Sequence, residues 1–63
     1  MSNHHRKPKS RGGDNSARNI SKVSKVQHRA WHVLFSNMTP EQIADEINEK
    51  WIDQDYKMIF IKR

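Results

Sequence analysis

Apart from Met1 and Ala17, no apolar side chain occurs before Ile20. A stretch that polar cannot build a hydrophobic core of its own, because burying apolar surface is the dominant favourable term in folding. Any order in the first third of this 63-residue chain must come from turns, hydrogen bonds or a bound ion. The rest of the chain offers only modest help, since hydrophobic residues make up 33% of the whole and charged residues 30%. A domain this short buries only about 60% of its unfolded surface and commonly needs a staple. There is no cysteine, which excludes a disulfide set and any cysteine-based zinc finger. The four histidines are then the metal-ligand candidates that stand out. No run approaches the ~18 apolar residues of a membrane span, and the basic N-terminus has no apolar segment behind it to read as a secretory signal. The expectation is one small soluble domain over residues 1–63, cytoplasmic and without membrane contact.

Charge divides the chain. Residues 1–35 hold eight basic residues against one acidic, a net +7, while residues 36–63 hold four against six, a net −2. The first half is drawn to polyanions and the second is not. All four histidines lie in the basic half, as His4–His5 and His28–His32.

Local signals order the rest. Pro8, Gly12-Gly13, Asp14-Asn15 and Ser16 are turn formers. Ile20 and Val23 suggest a short strand. Ser24 as N-cap and Gln27 as its capping-box partner predict a helix from Lys25 to about Ser36, with Asn37 at its exit. On that helix Ala30, Trp31 and Leu34 form an apolar stripe, and His28 and His32, four apart, share a face. Thr39, Pro40 and Gln42 start a second helix, running to about Ile52. Its Ile43, Ile47 and Trp51 recur every four residues and are expected to pack on Trp31, Leu34 and Phe35. Tyr56 to Ile61 is aromatic and β-branched enough to predict a strand.

The residues that carry chemistry fall in one register: His4-His5, Pro8, Ser10, Gly12-Gly13, Asn19-Ile20, His28 and His32. This arrangement resembles the HNH nuclease motif, the ββα-metal fold, in which Pro, Ser and Gly-Gly follow a His at set offsets and a later Asn precedes a helical His by nine residues. The second helical His resembles the version found in nuclease colicins. The resemblance covers residues 4–32. It implies an α+β fold, with a ββα-metal finger over residues 1–36 and a helix-strand extension over residues 37–63 packing on it. It implies His5 as general base, His4, His28 and His32 as ligands of one divalent metal ion, and Asn19 as the catalytic-site residue that holds the His5 loop and orients the base. Two departures are visible. Ser24 and Gln27 stand where many members carry a Cys-x-x-Cys pair, so their structural zinc is absent. His4 stands where Asp is commoner, and an all-imidazole set shifts preference from Mg²⁺ toward Zn²⁺, Ni²⁺, Co²⁺ or Mn²⁺.

Elementary chemistry is consistent with that resemblance. Phosphodiester hydrolysis needs a water, a base to deprotonate it and a cation at the scissile phosphate. A histidine suits the base role near neutral pH. Charge and proximity add Arg6, Lys7, Lys9, Arg11 and Arg29 as nucleic-acid contacts, with DNA favoured over RNA. The expectation is therefore a metal-dependent endonuclease of low sequence specificity using Zn, Ni, Mn or Mg. The alternative is a module that keeps the metal and binds nucleic acid without cutting it. A third reading makes the acidic half, with its helix and strand, a surface for a protein partner or a second copy. Against all three stands the plain reading of a solvated basic tail and polar-face histidines.

Overall fold

The computed structural model describes every residue from Met1 to Arg63. Strand β1 (Ser2–His5) pairs antiparallel with β2 (Ile20–Val23). Helix α1 (Lys25–Phe35) follows directly, and α2 (Pro40–Lys50) comes after residues 36–39. The chain is a small α+β fold of one two-stranded sheet and two helices.

The hairpin register pairs Ser2 with Val23, Asn3 with Lys22, His4 with Ser21 and His5 with Ile20. Successive strand residues point to opposite faces. Ser2 and His4 therefore share the face that meets α1, and His5 takes the other.

Polar ties hold the long loop between the strands. A 3₁₀ turn, Lys9–Arg11, sits between Pro8 and Gly12. Gly12 has φ +87°, a left-handed conformation that costs glycine nothing. The Gly13 amide donates to the Pro8 carbonyl at 2.9 Å. A Cβ on Gly13 would lie 1.7 Å from the Lys7 carbonyl oxygen, so only glycine fits that fold-back.

Both helices start as the sequence predicts, with one difference. Ser24 accepts from the Gln27 amide at 3.1 Å, but no bond returns from Gln27, so the expected box on α1 is half formed. On α2 the box is complete: Thr39 Oγ1 accepts from the Gln42 amide at 3.2 Å, and Gln42 Oε1 accepts from the Thr39 amide at 2.9 Å. Helix α1 stops at Phe35, with Ser36 rather than Asn37 making the exit at φ +47°. Helix α2 stops at Lys50 instead of reaching Ile52.

The core is smaller than expected and differently composed. Only Phe35, Ile43 and Ala44 are buried. Trp31 is half-buried and stacks against Phe35 with ring centroids 4.6 Å apart. The inward face of α1 is His28, Trp31, His32 and Phe35, spaced by three and four residues. That face turns Ala30 and Leu34 outward, which corrects the apolar stripe drawn through them. Trp51 is likewise a correction: it caps the end of α2 and is 58% exposed.

The strand expected over Tyr56 to Ile61 does not form. Strand propensity is realised only against a bonding neighbour, and this segment pairs with neither strand of the two-stranded sheet. The Asn48 side chain instead brackets Met58, donating to its carbonyl at 2.9 Å and accepting from its amide at 2.7 Å. Tyr56, Ile59 and Ile61 are left exposed.

The accessible surface, 5635 Å², exceeds the about 4,200 Å² typical of a folded monomer of this mass. The radius of gyration, 12.9 Å, exceeds the about 10.6 Å expected for the length. Apolar burial alone thus leaves this chain under-stabilised. No helix is long and apolar enough to cross a membrane.

Candidate functional site

The site is built on the seam between β1 and α1. His4 comes from the inward face of β1, and His28 and His32 come from one face of α1 at i and i+4. Their candidate ligand nitrogens all lie within 4.8 Å of one another, so these three residues could hold a metal ion. The His4 ring meets those of His28 and His32 at centroid distances of 5.3 and 6.1 Å. Trp31 closes the inner side, with its ring 5.6 Å from that of His4.

Two observations fit a cation here. The His4 Nδ1 atom is buried and has no hydrogen-bond partner. The His28 and His32 Nε2 atoms face each other at 2.9 Å. In a tetrahedral zinc site with bonds of 2.0–2.1 Å, ligand nitrogens stand about 3.4 Å apart. A slight opening of one pair and closure of the third side chain would reach that geometry. Partial burial, and after it the charges of His28 and His32, hold the His4 pKa below its usual 6.5, with smaller contributions from His5 and Arg6. Both effects favour the neutral form of His4, the form that ligates.

Ser2 supports the cluster, and no spacing rule pointed to it. Its Oγ lies 2.6 Å from His28 Nδ1. When that nitrogen donates to Ser2, the tautomer is fixed and Nε2 is left as the ligating atom.

His5 stands outside the cluster because the strand pleat sends it the other way. Its Nε2 lies 2.8 Å from Asn15 Oδ1. An amide oxygen only accepts, so Nε2 carries the proton and the neutral ring keeps its lone pair on Nδ1. That nitrogen can take a proton from water. In the sequence Asn15 reads only as a turn former, because nothing in the spacing marks it as a partner of His5.

Asn19 is the tie that fixes the loop after His5. Its Oδ1 accepts from the Lys7 amide at 2.8 Å, and its Nδ2 donates to the Lys7 carbonyl at 3.0 Å and the Asp14 carbonyl at 2.8 Å. Its backbone carbonyl accepts from the Arg6 amide at 2.8 Å. No bond joins Asn19 to the His5 ring, so it steadies the backbone that carries His5 while Asn15 sets the ring. Asp14 contributes an Asx turn, accepting from the Ser16 amide and hydroxyl. These bonds hold its carboxyl below the usual carboxylate range.

The five basic residues singled out from the sequence are all exposed, and none is ion-paired. The single salt bridge joins Lys50 to Glu46 on α2 at 3.0 Å. Arg6, Lys7 and Arg11 converge on one cavity between the loop and the start of α2. Lys9, on the 3₁₀ turn, and Arg29, beside His28 on α1, stand away from that cavity. No family model, curated protein or solved structure matches this chain.

Proposed function

We propose that this chain is a small metal-dependent endonuclease of the HNH type, hydrolysing phosphodiester bonds of DNA with little sequence preference. The observation that carries the reading is the division of the adjacent histidines: His4 joins two helical imidazoles, while His5, held through Nε2, presents Nδ1 on the other side of the same strand. A three-histidine set also leaves a coordination position free, which is the pattern of catalytic rather than structural zinc sites.

In this reading His4, His28 and His32 hold the ion. When bound, the ion stabilises negative charge on the scissile phosphate and the leaving oxygen. His5 Nδ1 takes the proton of the attacking water, and Asn15 keeps that ring in the required tautomer. Asn19 fixes the backbone after His5, so the base does not drift from the phosphate. The unpaired cations of the loop attract the DNA backbone, and that attraction weakens with salt. Among Zn, Ni, Mn and Mg, the imidazole donors favour the first three over Mg.

Nicking of supercoiled plasmid tests the proposal. Each metal is supplied in turn to the wild type and to His5→Ala. Loss of a general base is expected to slow nicking about 10²–10⁴-fold, while bound metal stays stoichiometric. Equal activity in His5→Ala, or none in the wild type with any metal, sinks the mechanism. The second reading, a metal-stapled module that binds nucleic acid without cutting, is favoured by the three-residue core, which makes the ion a structural need. It predicts salt-dependent DNA binding and intact plasmid.

A further inference from the structure

The basic loop, the inner face of α1 and the start of α2 enclose a cavity of about 440 Å³, within the size range of small-ligand sites. One wall is cationic, carrying Arg6, Lys7 and Arg11. The floor is apolar and aromatic, carrying Trp31, Met38 and Ile43. Glu41 is the single acid in its lining, and it pairs with none of the three cations. The Arg11 Nε donates to the Asn37 carbonyl, which fixes that guanidinium against the connection between the helices. The side chains of Arg6 and Lys7 have no hydrogen-bond partner of their own. A wall of unpaired cations facing an aromatic floor calls for a ligand with an anionic end and a flat apolar end.

We propose that this cavity is a nucleotide subsite, taking one nucleotide of a strand with its phosphate at Arg6, Lys7 and Arg11 and its base against Trp31. Every base has a π-face, so such stacking carries little sequence preference. Trp31 also meets His4 edge-on, 5.6 Å between centroids, which sets the subsite beside the histidine cluster. A nucleotide seated there would lie next to the side of β1 that carries His4. This inference rests on the nucleic-acid reading, yet it concerns binding alone and requires no turnover.

Trp31 supplies the readout once Trp51 is replaced, because the chain has two tryptophans. The zinc-loaded Trp51→Phe protein is titrated with thymidine monophosphate, thymidine, inorganic phosphate and a short poly-glutamate peptide, following fluorescence. The expected result is saturable quenching by the monophosphate at concentrations about tenfold below those needed for thymidine or phosphate alone. Arg6→Ala, which removes a side chain with no internal bond, is expected to weaken that binding about tenfold, and Lys7→Ala similarly. No quenching by the nucleotide, equal affinity in both variants, or tighter binding of poly-glutamate overturns the proposal. A protein that nicks plasmid but shows no quenching loses the subsite and keeps the nuclease reading. A protein that is quenched but never nicks keeps the subsite and loses the nuclease reading.

Discussion

The two halves of the chain are stabilised by different physics. Residues 1–34 contribute no buried side chain, and their order comes from backbone pairing, the glycine fold-back, the Asn19 tie and the histidine cluster. Residues 35–50 contribute all three buried side chains and a fully closed capping box. The histidine cluster thus lies where hydrophobic packing is weakest. Where apolar contact cannot fix a group, polar partners do: Ser2 reaches His28, Asn15 reaches His5, and Asn19 ties the backbone of the loop.

The largest effect should come from metal removal. Apparent binding free energies of structural zinc run to about 10 kcal/mol or more in small domains. Chelating the zinc-loaded protein should therefore abolish amide protection in β1, β2 and the first turns of α1, with α2 losing less. Hydrogen exchange with and without chelator checks this, and uniform indifference would erase the distinction between the halves. Gly13→Ala comes next. A side chain 1.7 Å from the Lys7 carbonyl must push the loop open, costing about 2–4 kcal/mol in a denaturant titration. A neutral result would mean the loop is not held as described.

Within the second half, Thr39→Ala removes the acceptor for the Gln42 amide and should cost about 1 kcal/mol of stability, with zinc affinity unchanged. A loss of zinc binding in that variant would show the halves to be coupled. The smallest effect is the pH dependence of the metal-free protein. The His4 pKa is lowered on folding, so the stability it contributes is present above 6.5 and is lost as pH falls through the folded value. Acidification should destabilise the wild type more than His4→Ala, and thermal melts across that range measure the difference.

Much of the local structure was legible in the sequence, and the reasons are local. Ser24 and Thr39 sit where helix starts need an acceptor, and His28 and His32 share a face because four residues make about one turn. What escaped was decided at a distance. Tyr56 to Ile61 has strand composition but pairs with neither strand. Trp51 keeps the four-residue period of Ile43 and Ile47, but α2 ends before it can be covered. The true inner face of α1 runs through two histidines, so apolar spacing alone points to Ala30 and Leu34 instead. Ser2 and Asn15 were invisible for a related reason: their roles depend on which ring nitrogen they reach, and composition does not encode that.

The pleat of β1 has a consequence for how such a chain can change. Adjacent letters, His4 and His5, are sorted to opposite sides by a period of two. Inserting one residue between His4 and His5 would put both on one face of the strand. A slip of a single position would send His5 into the cluster and expel His4 from it. The loop beyond has no such parity, and residues between the Asn15 and Asn19 anchors can be lengthened without exchanging the two roles. In this small fold, length is negotiable in the loop but not in the strand, where the arithmetic is odd or even.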